Sequence, residues 1–593
     1  MNIYSFTNTI TNIVAVDTAI YDKMYTDFSH GNYPIDAPFW RRDPYQASPL
    51  SGQAGVQTPT PTVLTVSVSA PGCAAITHTF DDTYRTDHFF PVLGLCSGVD
   101  NTVSFTTTDQ LGQSLQSEFT VPANCIPLFP TDAFGQVDII APPVREHLNS
   151  QLYITNVSNS FPAAIDYDGN VRWYIYETTA FTCFRAGPTA PVTATLYVPL
   201  LIPLNNGHIL TKSQDQRQLI EFDQLGRIYT ITELAYPDET GQSIPCLAIR
   251  DMIQMPPGDD RLLIQTENDS TMTRTRANQT EGDVLAIMDF NSGQVQQTVD
   301  YKTLLDVNRR AQPPSQQDAS TGRLDWFHAN GIHYHVSTNS FINSGRNQGV
   351  IVATDQTTNE IKWMLGSHTD WNTGFSPYLL TPLRTDGTPY DLTDPADSVA
   401  ADHEFWPWGQ HGVRALPDAY TTPGGDLDLL VFDDGAYRSL SQPDAIVSYN
   451  NWSRAVRYNI NITNMTARIV WQYGKDLGDD YYCGYVGNVQ FMPDTSSMMI
   501  NFGGTNCYVD PGTGDGRNVG IRGDVLMADF PPNNFNDPDN FPVNEKTKVQ
   551  EVSTDTGEIL FEFWQYNRSR VGVIQNFSFK VWKADLYDFS FTS

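Results

Sequence analysis

The feature that most constrains this chain is a unit that recurs from about residue 135 onward. It is an apolar strand, a short turn of Asp, Gly, Asn or Ser, and a second strand that often carries Trp. Six copies are legible: AAIDYDGNVRWYI around Gly169, LIEFDQLGRIYTI around Gly226, AIMDFNSGQV around Gly293, VIVATDQTTNEIKWMLG around Asn359, VRYNINITNMTARIVWQYG around Asn464 and EVSTDTGEILFEFW around Gly557. Turn residues between two apolar runs signal a hairpin, because Gly and Asn reach the positive φ that tight turns need. Most copies follow another hairpin, as in DMIQMPPGDDRLLIQTEN and VQFMPDTSSMMINFGG. Two hairpins make a four-stranded antiparallel sheet, and six such sheets in succession predict a six-bladed β-propeller. Turn centres lie between 57 residues (Gly169 to Gly226) and 105 residues (Asn359 to Asn464) apart, so insertions decorate some units. The first copy lacks an inner hairpin, and the C-terminal VGVIQNFSFKVWKADLY is the expected source of its missing strand.

Before the repeats the pattern differs. TVLTVSVSA, AAITHTF, TVSFTTTD and SLQSEFTV alternate polar and apolar residues with period two, the mark of half-buried strands. The expectation is therefore an all-β chain: an N-terminal arm over 1–48, a β-sandwich domain over 49–130 and the propeller over 131–593. The arm reads as extended chain that packs on the body or on a second copy, giving a homo-oligomer through the N-terminal region.

Composition excludes several classes. Lys and Arg total 35 against 67 Asp and Glu, a net charge of −32, so nucleic acid is not an expected partner. An anionic small substrate would need fixed local cations to overcome that field. No apolar run reaches membrane-spanning length, and the start lacks the basic and apolar regions of a signal peptide. Seven cysteines do not make a disulfide scaffold. Cys483 with Cys507, and two of Cys73, Cys96 and Cys125, are the pairs to weigh against buried free thiols. His333 and His335 share a strand face, but no third ligand accompanies them, so neither a metal nor another cofactor is expected.

The innermost strands of a propeller converge on one axis. Aligned on Pro203, Pro256, Tyr334, Pro417 and Pro493, they carry Tyr197, Arg250, His328, His411 and Gly487 six residues upstream. The second strand of each inner hairpin returns antiparallel, which sets Arg346 beside His328 and Asn330, and Asp434 near His411. The expected cluster is His328, Asn330, Arg346 and His411, with Arg250 close by. A neutral imidazole is a nucleophile near pH 7, and a guanidinium binds two oxygens of an oxyanion as a fork. Trp408, with Trp326, Phe327 and Trp406, lies near enough in sequence to hold an aromatic ring.

DWFHANGIHYHVSTNSFINSGRNQGVIVATDQTTNEIKWMLG resembles the signature region of the bacterial arylsulfate sulfotransferase family, and WPWGQHGVRALP its second histidine motif. The resemblance spans roughly 140 to 570 and implies the same sandwich-plus-propeller architecture. It also implies sulfuryl transfer from a phenolic sulfate ester to a phenol, an extracytoplasmic location, His411 as the sulfated nucleophile, and His328, Asn330 and Arg346 as sulfate-holding and proton-transfer residues. Arg250, Tyr197 and Trp408 are then substrate-binding candidates. The chain departs from the pattern at Arg250, where the family has a histidine. The alternative reading is a propeller that has lost catalysis and serves as a structural or binding surface protein.

Overall fold

The structure is a computed structural model and describes residues 3–126, 136–149, 151–155, 162–175, 200–212, 218–233, 235–237, 243–245, 249–267, 283–310, 325–436, 438–440, 446, 451–484, 486–509, 516–518, 543–566 and 580–587. The chain divides into two compact units, one of residues 1–134, 148–233 and 582–591, the other of 135–147, 234–581 and 592–593.

The first unit opens with a helix, α1 (Ile3–Ser29), where extended chain was expected. Asp17, Ile20, Met24 and Phe28 recur at helical spacing, and Met24 and Phe28 are buried. Asp17 is buried too, because its carboxylate accepts the Ile228 amide at 2.9 Å. The Asn, Thr and β-branched residues of this segment have modest helix propensity. It is helical because its apolar stripe has a surface to cover, which is how most helical stability arises in proteins.

Five strands follow: β1 (Phe39–Arg42), β2 (Ser51–Ala70), β3 (Cys73–Leu93), β4 (Asn101–Asp109) and β5 (Ser114–Val121). They form one connected sheet, since β2 pairs with β1, β3 and β4. The β2–β3 register breaks between Gln57 and Thr62. Pro59 and Pro61 lie inside that interval and cannot donate to a ladder. Beyond the break the two halves of the sheet face each other through Phe80–Phe90 and Phe90–Phe105 ring contacts, each with centroids 5.6 Å apart. Cys73 and Cys96 form a disulfide. Cys483, in the other unit, is a buried thiol and not in the disulfide weighed from the sequence; it contacts the Val486 carbonyl and the Gly504 amide.

The same unit holds two four-stranded antiparallel sheets. Sheet I contains Leu152–Thr155, Ala163–Ile165 and Val171–Tyr174, and its fourth strand is the C-terminal Trp582–Ala584. Sheet II contains Ile202–Pro203, Ile209–Lys212, Gln218–Phe222 and Ile228–Glu233.

Sheets III to VI belong to the second unit, which also holds a two-stranded sheet of Ala235–Pro237 and Ser243–Pro245. Sheet III is Ile249–Gln254, Arg261–Glu267, Asp283–Asp289 and Gln294–Asp300, and sheet IV is Ala329–His335, Ser340–Gly345, Val350–Asp355 and Ile361–Gly366. Sheet V is His411–Ala415, Leu427–Asp433, Arg454–Asn461 and Thr466–Tyr473, extended by the parallel strand Thr381–Leu383. Sheet VI is Gly487–Met492, Ser497–Val509, Val543–Ser553 and Ile559–Tyr566, extended by Gln136–Ala141.

First strands of successive sheets in this unit approach closely where glycine permits it. A Cβ on Gly331 would meet Val413 at 3.1 Å, and one on Gly412 would meet Asn488 at 2.8 Å. Gly412 also has a φ of +61°, a conformation that a side chain would strain. These contacts bring the starts of the first strands together, and those starts carry the candidate residues.

Candidate active site

Arg250, His328, His411 and Gly487 stand at the start of the first strands of sheets III to VI, the equivalence that the sequence alignment anticipates. Ala329 pairs with Gly345, so His328 and Arg346 sit opposite each other at the open end of one hairpin, and the Arg346 amide donates to the His328 carbonyl at 3.1 Å.

His328 has a φ of +55°. That is unusual for a residue with a side chain and costs on the order of 1–3 kcal/mol. Asp283 from sheet III offsets the strain, because its carboxylate accepts the amides of His328 (3.1 Å) and Ala329 (3.0 Å). The His328 Nδ1 bonds to the carboxylate of Asp325, three residues back. Arg250 Nη1 lies 2.8 Å from Nδ1 and 3.1 Å from Nε2 of the same ring. Its guanidinium also faces Asp283 and Asp325, each at 3.7 Å. Burial, and next the charge of Arg250, lower the His328 pKa. Burial works against ionisation of Asp325, but the neighbouring cations win and its carboxyl stays below the usual range.

His411 is held differently. Its Nδ1 lies 2.7 Å from Asp434 Oδ2 and 3.1 Å from the Gly409 carbonyl. Both neighbours are acceptors, so Nδ1 carries the proton and the lone pair is on Nε2, which has no hydrogen-bond partner among the described residues. Burial, followed by the charges of Arg346, His328 and Lys580, pushes the His411 pKa well below its ordinary value. The ring is therefore neutral at pH 7.

The loop that carries Asp434 is pinned from beneath. Asp433 accepts Arg438 Nη1 (2.9 Å) and Arg454 Nε (2.8 Å) on one oxygen and the Trp408 (2.9 Å) and Gly435 (3.1 Å) amides on the other. All three charged side chains are fully buried. Such a network tolerates burial only when it is fully bonded, so it holds the loop in one conformation.

Asn330 donates to the Gln410 carbonyl at 2.8 Å and so links sheet IV to the residue before His411. Its Oδ1 is buried without a hydrogen bond. The Arg346 guanidinium donates to Asn347 Oδ1 and to the Gly484 carbonyl, each at 3.0 Å. Its charge acts on His411, His328 and Asp325 alike.

Two expected residues stand apart. Tyr197 lies outside the described residues. Trp408 is fully buried: its ring packs over Gly349 and its indole N–H donates to the Asp402 carbonyl at 2.6 Å. It is a core residue, not a face for an aromatic substrate, and Trp326, Phe327 and Trp406 are buried likewise. The reason is general, since a large ring beside a strand start is the side chain that best fills the space between sheets.

Sequence reasoning missed Asp283, Asp325, and the pair of Asp251 with Lys580, whose ammonium donates to the Asp251 carboxylate. Asp325 had a legible signal in DWFH, an acid three residues before the histidine. Lys580 had none. It is 329 residues from its partner and is fixed through Val581, whose amide and carbonyl both bond to Asn488 at 2.9 and 2.8 Å. No group of three or more His, Cys, Asp or Glu side chains suited to a metal ion occurs among the described residues.

Within a chain of net charge −32, three cations, Arg250, Arg346 and Lys580, stand among the carboxylates of Asp251, Asp283, Asp325 and Asp434 and beside two oriented imidazoles. This arrangement suits in-line displacement at a centre bearing anionic oxygens, where catalysis is positioning and charge stabilisation.

Comparison with known proteins gives two family matches. Residues 139–570 match the family described as Arylsulfotransferase (ASST), and residues 41–124 match the Arylsulfotransferase Ig-like domain. The chain is 31% identical over 185 residues to the Arylsulfate sulfotransferase AssT of Lelliottia amnigena, covering 31% of this chain and 29% of that protein. It is 30% identical over 189 residues to the Arylsulfate sulfotransferase AssT of Escherichia coli O6:H1, covering 32% and 29%. Each aligned stretch thus spans only 29% of its relative's length. Among solved structures, the Cps50 (Swd1) β-propeller domain of Myceliophteria thermophila is similar at 10% identity and a TM-score of 0.30, covering 74% of this chain and 97% of that one. Virginiamycin B lyase of Staphylococcus aureus is similar at 11% identity and a TM-score of 0.26, covering 69% and 89%. Scores this low carry no structural argument.

Proposed function

The chain belongs to the arylsulfotransferase family, and from that premise we propose that it moves a sulfuryl group from a phenolic sulfate ester to a phenol through a sulfated His411. In the first half-reaction the Nε2 lone pair of His411 attacks sulfur and the bond from sulfur to the aryl oxygen breaks. Its electron pair leaves on the phenolate, which takes a proton from protonated His328 or from water. The positive charge that develops on the His411 ring is met by Asp434. In the second half the acceptor phenol oxygen attacks sulfur, the N–S bond breaks, and neutral His328 takes the phenol proton. Arg346 and Asn330 hold sulfate oxygens, and Arg250 adds a second fork of donors. The partners are small phenolic sulfates and phenols. The six four-stranded meanders are read as the blades of one propeller that follows a sandwich domain. The Cys73–Cys96 disulfide favours an extracytoplasmic, oxidising location.

The observation that carries this reading is the His411–Asp434 pair, which orients Nδ1–H inward and leaves a neutral nitrogen available. The competing reading, a propeller that binds without turnover, draws on Arg250, which contacts His328 where the family has a histidine. Rapid mixing with 4-nitrophenyl sulfate separates the two. The active enzyme releases a stoichiometric burst of nitrophenolate and follows ping-pong kinetics with a phenol acceptor. His411→Ala is expected to abolish the burst, and a burst that survives in that variant would assign the nucleophile elsewhere.

A further inference from the structure

We infer that Ser453 is a positioning residue whose hydroxyl ties the loop that orients His411 to the segment that anchors Arg346. Its role in turnover rests on the sulfuryl-transfer reading; the linkage itself does not. Ser453 comes just before the third strand of sheet V and is fully buried. Its Oγ accepts the Cys483 amide at 2.8 Å, and lies 2.7 Å from the Asp434 carbonyl and 3.1 Å from the Cys483 carbonyl. A hydroxyl has one proton to give, and Asp434 is the nearer acceptor. The chain of bonds therefore runs from the Cys483 N–H through the hydroxyl to the Asp434 C=O, and each bond in such a chain polarises the next.

Both ends of that chain lead to groups at the site. Asp434 holds Nδ1 of His411 through its carboxylate. Gly484, next to Cys483, accepts the Arg346 guanidinium at 3.0 Å. The further supports of the two ends lie on different sheets. The Asp433 network fixes the Asp434 loop to Arg454 of sheet V, whereas Cys483 Sγ meets the amide of Gly504 on the second strand of sheet VI. Close approach is built in. A Cβ on Gly435 would meet the Trp452 carbonyl at 2.2 Å, and one on Gly474 would meet the Ser453 carbonyl at 2.7 Å. The backbone closes on Ser453 at both glycines, so a side chain as short as serine bridges two loops. Its hydroxyl thereby fixes the Arg346 fork relative to Nε2 of His411, and a misplacement of about 1 Å between reacting groups can cost about a hundredfold in rate.

The test is a double-mutant cycle on the full chain, read as the rate constant of the nitrophenolate burst from 4-nitrophenyl sulfate, with melting curves to establish that each variant folds. Ser453→Ala is expected to lower that constant about tenfold, the scale of one buried hydrogen bond. In an Arg346→Lys background the same change is expected to cost less than about threefold, because linked residues are not additive. A normal burst in folded Ser453→Ala, or equal losses in the two backgrounds, would overturn the linkage. Ser453→Thr keeps the donor and acceptor and is expected within about threefold of the parent chain; a folded threonine variant as slow as the alanine one also overturns it. A crystal structure of Ser453→Ala gives a readout free of turnover. Arg346 is expected to part from the Gly484 carbonyl beyond about 3.5 Å, and an unchanged Arg346–Gly484 contact beside an unchanged Asp434–His411 contact would contradict the inference. A parent chain without a burst would remove the transferase reading, and a displaced Arg346 in the variant would still leave the linkage standing.

Discussion

His328 and His411 occupy equivalent places, the start of the first strand of sheets IV and V, yet their surroundings differ. Each ring has Nδ1 on a carboxylate, Asp325 for one and Asp434 for the other. At His411 the remaining nitrogen is without a hydrogen-bond partner among the described residues, and at His328 Arg250 Nη1 lies 2.8 Å from Nδ1 and 3.1 Å from Nε2 of the ring. The carboxylates differ in origin as well. Asp325 lies three residues before its histidine and travels with it, whereas Asp434 arrives on the returning strand and is fixed by the buried Asp433–Arg438–Arg454 network. One repeat position thus carries two imidazoles on carboxylates, and what distinguishes them is the guanidinium beside the His328 ring, not the histidine or its strand.

The largest expected effect comes from Asp434, the carboxylate on the proposed nucleophile. Asp434→Asn keeps the shape but can donate to Nδ1 and stabilise the wrong tautomer. Turnover of an aryl sulfate should fall on the order of a thousandfold or more, as for other aspartate–histidine pairs. A drop below tenfold would mean that His411 does not depend on its partner, and the contrast with His328 would lose its basis.

Arg346→Lys should have a smaller effect. A point charge replaces a fork, so kcat/KM is expected to fall about tenfold to a hundredfold while the melting temperature holds. Near-normal turnover would make Arg346 a backbone-anchoring residue that merely holds Asn347 and Gly484.

The smallest effect is expected for Asp325→Asn, about tenfold in kcat, read together with the pH profile. The folded-state pKa of His411 is depressed, so its neutral form is complete above the ordinary histidine value and is lost only as pH falls through the lowered one. The acid limb of kcat/KM is therefore expected below pH about 6.5, and it should stay there in Asp325→Asn, because that carboxylate serves His328 and not His411. An acid limb that moves in this variant would show that the two histidines titrate as one unit.

Much of this architecture is legible in the sequence because its signals are local. A turn residue between two apolar runs acts over a few residues, and its recurrence marks the hairpins of the four-stranded sheets. The equivalence of Arg250, His328 and His411 follows from counting back from a Pro or Tyr. The helix α1 was missed because weak propensity masked a clear period at Asp17, Ile20, Met24 and Phe28. Trp408 was misread because nearness in sequence to a functional histidine says nothing about which side of the strand a ring occupies.

By itself, then, the sequence determined the β-rich repeat, the change of pattern near residue 130 and the residue types gathered at the strand starts. Only the tertiary structure decided the partners. Lys580 meets Asp251 across 329 residues, Asp434 returns to His411, and Arg250 of sheet III reaches the ring of sheet IV. Strand and turn signals arise from backbone preferences within a few residues. The protonation state and accessibility of a side chain depend on charges and burial supplied by whatever segment folds against it, and no local pattern encodes that.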